Sequence, residues 1–155
     1  MKQCISVIVG ASLLLGASGA FAQQAPKPEQ LIKWRQSVYQ VLAWNSGRIK
    51  ANVDGQFNKD EVIRAANAIA GLANSGIGGL FAAGSETGKG WKETATKPDF
   101  FKNPQRVAEL AGNFNREANE LAKVAGSGDV AAIKAQFGKY SQTCKACHDD
   151  FKSKD

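Results

Sequence analysis

Cys144-Lys145-Ala146-Cys147-His148 brings two thiols and an imidazole together in one pentapeptide. The pattern is C-x-x-C-H, the attachment signature of a c-type haem. Two thiols add covalently to the two vinyl groups of the porphyrin, and the adjacent imidazole reaches the iron as proximal ligand. On a helix, Cys144 and Cys147 are i, i+3 and Cys144 and His148 are i, i+4, so all three share one face. His148 is the only histidine in the chain. A thioredoxin-like redox pair would need a strand before the motif and a helix starting at the cysteines. A structural zinc site needs four ligands, and the segment offers three.

The N-terminus supplies the compartment that this chemistry requires. Lys2 is a short positive region, Ile5 to Ala17 is apolar, and Ala20-Phe21-Ala22 fits the A-x-A cleavage pattern. Residues 1–22 therefore read as a secretory signal peptide cleaved after Ala22, which places residues 23–155 in the periplasm as one domain. The apolar run is shorter than the roughly 20 residues a membrane span needs, so no stable membrane insertion is expected. Cleavage removes Cys4 and leaves Cys144 and Cys147 for the haem. The formal net charge is +6, one less without Lys2. Basic residues are scattered among acidic ones, which argues against nucleic acid and is compatible with acidic redox partners.

Four helical segments must position the motif. The first starts near Pro28, a favourable first helical residue, and runs to about Asn52. Leu31, Val38, Leu42, Asn45 and Ile49 recur at helical spacing, with Arg35 and Tyr39 on a neighbouring line. The second has Asn58 as N-cap and Glu61 three residues on, a capping-box pattern, with an apolar stripe through Val62, Ala66 and Ile69. The third starts at Asn103 and Pro104 and buries Leu110, Phe114, Ala118 and Leu121. The fourth starts at Asp129, and its stripe of Ile133, Phe137 and Tyr140 continues into Cys144, Cys147, His148 and Phe151. The haem motif thus prolongs the stripe that builds the core. Between the second and third helices, residues 75–102 are glycine-rich. They lack the G-x-x-x-x-G-K-[ST] phosphate loop and read as turns packed on the haem. No segment alternates like a strand. Short connections give an all-α, antiparallel four-helix bundle with the haem near the C-terminus.

Four motifs carry a family resemblance. Lys33-Trp34-Arg35-Gln36-Ser37 followed by Gly47-Arg48 is similar to K-[YW]-R-Q-S…G-R. Phe81 with Gly84-Ser85-Glu86 is similar to F-x-x-G-[ST]-[ED]. Lys97-Pro98-Asp99-Phe100-Phe101 is similar to K-P-E-x-W, with Phe101 in place of tryptophan. Together with the C-terminal C-x-x-C-H, they make the chain resemble cytochrome c′ over essentially all of residues 23–155, a family whose bundle is a standard example of this architecture.

The resemblance implies one haem c per chain, thioether-linked through Cys144 and Cys147, with His148 as the metal ligand. It implies Arg35 and Gln36 at the haem edge and propionates, and Tyr39 over the open iron face. Phe81, Glu93 and Thr94 would lie on the loop side of the haem. Lys152, four residues after His148, occupies a position often held by arginine but lacks arginine's planar fork. A homodimer through the first helices is implied as well. Read without the resemblance, Arg35 and Gln36 could be surface residues and Tyr39 a core aromatic. Trp34 and Trp44 read as core or interface aromatics, and Lys145 as solvated.

Methionine usage bears on the iron. Met1 is the only methionine and leaves with the signal peptide. The remaining chain has no methionine, no second histidine and no spare cysteine, so the usual strong sixth ligands are absent. A five-coordinate, high-spin iron is expected, open to nitric oxide and carbon monoxide, with Tyr39 as the local gate. Electron transfer with small redox proteins and binding of diatomic gases are compatible readings. A peroxidase-like enzyme is the alternative, but it needs a distal acid–base pair that a single histidine does not supply.

Overall fold

The computed structural model describes residues 25–154, so the expected signal peptide and Cys4 lie outside the described residues. Its elements are α1 (Pro28–Asp54), α2 (Lys59–Ala73), a 3-10 turn (Ile77–Leu80), α3 (Asp99–Lys102), α4 (Pro104–Ala125) and α5 (Val130–Phe151). The long helices α1, α2, α4 and α5 form a ring in which α2 packs on α1 and α4, α4 packs on α5, and α5 closes loosely back on α1. Among the described residues there are no strands, only two isolated bridges, Lys89 with Glu93 and Thr96 with Lys152.

Helix ends follow the expected chemistry with two departures. The Asp129 carboxylate accepts from the Ala131 and Ala132 amides at 2.9 and 3.1 Å, capping α5. Asn58 Oδ1 accepts from the Glu61 amide at 3.0 Å, but the return half of the capping box is not made. The Asn58 amide donates to Asn52 Oδ1 instead, and Glu61 turns to the Arg48 guanidinium at 3.0 Å. The second departure is Asn103, which does not cap α4. Its amide donates to the Asp99 carbonyl, because residues 99–102 form the short helix α3 that the glycine-rich reading did not anticipate.

The core fills the end of the bundle away from the C-x-x-C-H motif. Ile49, Val62, Ile69, Leu121 and Ile133 are fully buried, each stabilising the fold by about 1.5–3 kcal/mol. Tyr140 joins them with its ring against Phe114 and Phe137. Ser46 donates to the Leu42 carbonyl, so the Tyr140 hydroxyl must donate to Ser46 Oγ, 3.2 Å away. Towards the motif, Val107, Ala111 and Phe114 are incompletely covered, leaving apolar surface around a cleft. Trp34 and Trp44 are exposed on α1, which removes them from the core.

Asp54, at the end of α1, is bound by Lys50 on its own helix and by Lys134 of α5 at 2.7 Å. Both hydrogen bonds hold its carboxyl at about 2, below the ordinary 3.8. A depressed carboxyl stabilises the fold fully above its unfolded pKa, and that stabilisation is lost as pH falls through the folded value. Unfolding measurements between about pH 4 and pH 2 should therefore show an acid-dependent loss that Asp54→Asn reduces, the remainder coming from the other lowered carboxyls, Glu61, Glu117 and Asp149. A carboxyl NMR titration should place Asp54 among the last acids to protonate.

Candidate haem site

α5 carries Cys144, Cys147 and His148 on the side facing α1, and the space between these helices is a cleft of two adjoining lobes. One, of about 480 Å3, is strongly apolar, with Leu42, Ala73, Leu110, Phe114, Tyr140 and Cys144 in its wall. The other, of about 580 Å3, opens past Arg35, Gln36, residues 91–96 and Lys152. Tyr39, Phe81, Phe100, Cys147 and His148 line both. Each lobe falls in the range of small-molecule sites, about 300–1,000 Å3.

The aromatic wall is continuous. Tyr39 meets Phe81 edge-on at 6.4 Å between ring centroids, Phe81 stacks on Phe100 at 4.4 Å, and Phe100 meets Phe151 at 5.5 Å. The chain of rings links α1, the glycine-rich segment, α3 and α5. Phe100 and Phe151 were not among the expected site residues. The signal for Phe151 lay in its place three residues after His148 on the same stripe.

Arg35 holds the glycine-rich segment against α1. It is 3% exposed. Nη1 donates to Ser85 Oγ at 2.8 Å and to the Leu80 carbonyl at 3.3 Å. Nη2 donates to the Ser85 carbonyl at 2.7 Å and to Thr94 Oγ1 at 2.6 Å. Ser85 is completely buried, and the Arg35 guanidinium lies over the Phe81 ring at 4.8 Å. Desolvation lowers the Arg35 pKa, countered by Tyr39 and Glu86, yet an arginine stays charged. Of the residues expected near the haem, Thr94 thus touches Arg35, whereas Glu93 is exposed on the cleft rim.

Gln36 docks the next part of the segment. Its Oε1 accepts from the Trp91 and Lys92 amides at 2.7 and 3.4 Å, and its Nε2 donates to the Lys92 carbonyl at 2.9 Å. Trp91 Nε1 donates to Ser37 Oγ at 2.8 Å. The C-terminal part is stitched to the end of α5. Lys97 N donates to the Phe151 carbonyl at 2.9 Å and Ser153 N to the Ala95 carbonyl at 2.8 Å.

Burial raises both cysteine thiols, unlike the low-pKa cysteine of a dithiol oxidoreductase. Desolvation first, and then Lys152, lower His148, favouring the neutral imidazole that binds metals. Tyr39 is 43% exposed, but that exposure is to the cleft. Burial, then the nearby Cys147, push its hydroxyl up to about 12, so it is a neutral phenol.

An apolar cleft, a C-x-x-C-H face in its wall and a neutral imidazole define a c-type haem site on a four-helix bundle. The comparisons with known proteins agree. The family model described as Cytochrome C′ matches residues 30–152. A cytochrome c′ of Rhodocyclus tenuis is 67% identical over 130 residues, covering 83% of this chain and 98% of that protein. Among solved structures, a cytochrome c′ described as having an unusual ligand-controlled dimer dissociation superposes with a TM-score of 0.81. It is 42% identical, over 84% of this chain and 99% of the other. A nitric oxide complex of a variant cytochrome c′ from Alcaligenes xylosoxidans gives a TM-score of 0.75 at 25% identity, over 85% of this chain and all of the other. The chain belongs to the cytochrome c′ family and binds haem c, with Cys144 and Cys147 in place near its C-terminus.

Two substitutions, with a third on α5 as a contrast, test the docking of the glycine-rich segment. A Cβ at Gly90 would lie 2.6 Å from the Lys33 amide nitrogen and from Gln36 Oε1, so Gly90→Ala should cost about 1–3 kcal/mol in thermal unfolding. Gly138→Ala on α5, where nothing lies within 4 Å, should instead gain about 0.5–1 kcal/mol. Arg35→Lys offers one ammonium to four acceptors. Amide hydrogen exchange should then accelerate at residues 80–96 and leave the α2–α4 core unchanged.

Proposed function

We propose that the chain is an exported haem c protein that carries electrons and binds nitric oxide or carbon monoxide at an iron whose sixth position its own residues leave free. When bound, the haem supplies a one-electron couple and a site for a neutral diatomic ligand. Cys144 and Cys147 anchor it and His148 is the proximal ligand. The observation that carries the reading is that α1, through Tyr39, Leu42 and Ala43, lines the apolar lobe that His148 also lines, and the only ionisable group among these three is a phenol held neutral. None of the three matches the imidazole, thiolate or thioether that usually fills a sixth position.

Arg35 retains its Nε–H and Gln36 one amide hydrogen beyond the bonds they make to the segment. These donors are the contribution the two residues can make to a propionate. Phe81, which lines both lobes, would pack against the macrocycle from the segment side, and Glu93 and Thr94 would lie near its rim. Tyr39 gates the open face, since its ring occupies the approach from α1. Trp34, Val41 and Trp44 on the exposed side of α1 support a homodimer formed through that helix, and a solved relative is described by its ligand-controlled dimer dissociation. Export to the periplasm remains the reading of residues 1–22. Among the described residues, no helix is long and apolar enough to cross a membrane.

The absorption and paramagnetic-resonance spectra of the purified holoprotein test this directly. A high-spin resting iron that shifts on carbon monoxide addition is expected, and a low-spin six-ligand signature at rest would refute the open site. Tyr39→Leu should raise the carbon monoxide association rate by about tenfold, equivalent to about 1.4 kcal/mol. An unchanged rate would reduce Tyr39 to packing.

A further inference from the structure

The glycine-rich segment carries exposed side chains at the rim of the haem cleft. Residues 88–94 fold into a tight turn closed by Thr94 N to the Gly88 carbonyl at 2.9 Å and Gly90 N to the Lys92 carbonyl at 3.0 Å. At its tip, Trp91 is 57% exposed yet fixed at its backbone by Gln36 and at its indole by Ser37. Lys33 Nζ lies 4.0 Å from the ring centroid. Lys89 and Lys92 flank Trp91 in the chain, and Lys92 and Lys152 line the cleft.

Lys50, Lys102, Lys123, Lys134 and Lys145 each hold a carboxylate. Among the described residues, Lys33, Lys89, Lys92 and Lys152 form no ion pair, a property shared with Lys27, Lys59, Lys97, Lys139 and Lys154, but Lys33, Lys89 and Lys92 are gathered around Trp91, on a segment that also carries Glu86 and Glu93. Unpaired cations beside a low-dielectric cleft focus a positive field, and a tryptophan already held in one orientation loses little entropy when a partner covers it.

We infer that the platform of Trp91, Lys33, Lys89 and Lys92 is the docking surface for a small acidic electron-transfer protein. The inference rests on the electron-transfer reading above and adds its point of entry. A partner bearing carboxylates would compensate the unpaired lysines, cover Trp91 and stand at the mouth of the haem cleft. A protein fits the platform better than an anionic bilayer does. The indole N–H is turned inward to Ser37 and Lys33 covers part of the ring, whereas interfacial anchoring needs a free apolar face.

The test uses holoprotein and flash-generated donors, with reduction followed at the haem absorption band. Reduced flavodoxin serves as the acidic protein donor, and lumiflavin semiquinone as a small uncharged one. With flavodoxin, the unaltered protein should react faster as salt is lowered. The K33E/K92E variant should be slower by about tenfold at low salt and lose most of the salt dependence. Its reaction with lumiflavin should change far less than its reaction with flavodoxin, and an unaltered haem absorption spectrum and thermal unfolding show that the haem and fold are intact. K50E/K123E, which makes the same charge change at the far end of the bundle, should behave as the unaltered protein. A K33E/K92E protein that keeps the flavodoxin rate and its salt slope would overturn the platform while leaving electron transfer standing. If flavodoxin fails to reduce the unaltered protein although lumiflavin does, the electron-transfer reading falls and the platform with it. Sedimentation with phosphatidylglycerol vesicles that depends on Lys33 and Lys92, combined with an unchanged flavodoxin rate, would reassign the surface to a membrane and also overturn the proposal.

Discussion

Arg35 is a guanidinium buried from solvent with no carboxylate among its hydrogen-bonding partners. An isolated buried charge costs several kcal/mol unless polar groups replace the water it lost. Here the replacements are two backbone carbonyls and two hydroxyls, all from residues 80–94, together with the Phe81 ring face. The cation therefore organises its surroundings: the glycine-rich segment must fold back on α1 to solvate it. This explains how a stretch of irregular backbone takes one conformation. It also explains why Ser85 is completely buried, since its hydroxyl receives from Arg35 while donating to the Ala82 carbonyl.

Once the segment is docked, the cleft acquires its far wall. α1 and α5 alone would leave the C-x-x-C-H face open to water. The Phe81–Phe100–Phe151 stack and the backbone bonds from Ala95 and Lys97 to the end of α5 enclose it. Lys97 also places its ammonium on the Asp149 and Asp150 carbonyls, groups that the last turn of a helix leaves unpaired. The resulting wall is apolar where a macrocycle would lie and polar at the rim, as a flat ligand with charged propionates requires.

Much of this was legible in the chain, and the boundary of legibility has a physical meaning. The stripes of α1, α2, α4 and α5 and the caps at Asn58 and Asp129 are local, so spacing reveals them, and the C-x-x-C-H face follows from helical geometry alone. The helix α3 was not legible, because four residues are too few for a periodic signal. The partners of Arg35 and Gln36 are more than forty residues away in the chain, and no local pattern encodes such pairings. Trp91 sat unnoticed among glycines for the same reason. Even so, Gly90 marked the spot, because the approach of its backbone to Lys33 leaves no room for a side chain.

The two ends of the bundle consequently do different work. At the end distal to the motif, isoleucines, valine and leucine pack without residue, and Asp54 ties α1 to α5 through Lys134. That end packs all four long helices against one another. At the proximal end, α1 and α5 are held apart, and their apolar surface is left for a ligand to cover. A bundle uniformly packed along its length would close over the motif and exclude the haem, whereas one open along its length would lack the rigid support that keeps Tyr39 and His148 in one cleft. Stability concentrated at one end is what permits a shaped, apolar cleft at the other, and Tyr140 stands at the junction with its ring in the core and its edge in the wall of the cleft.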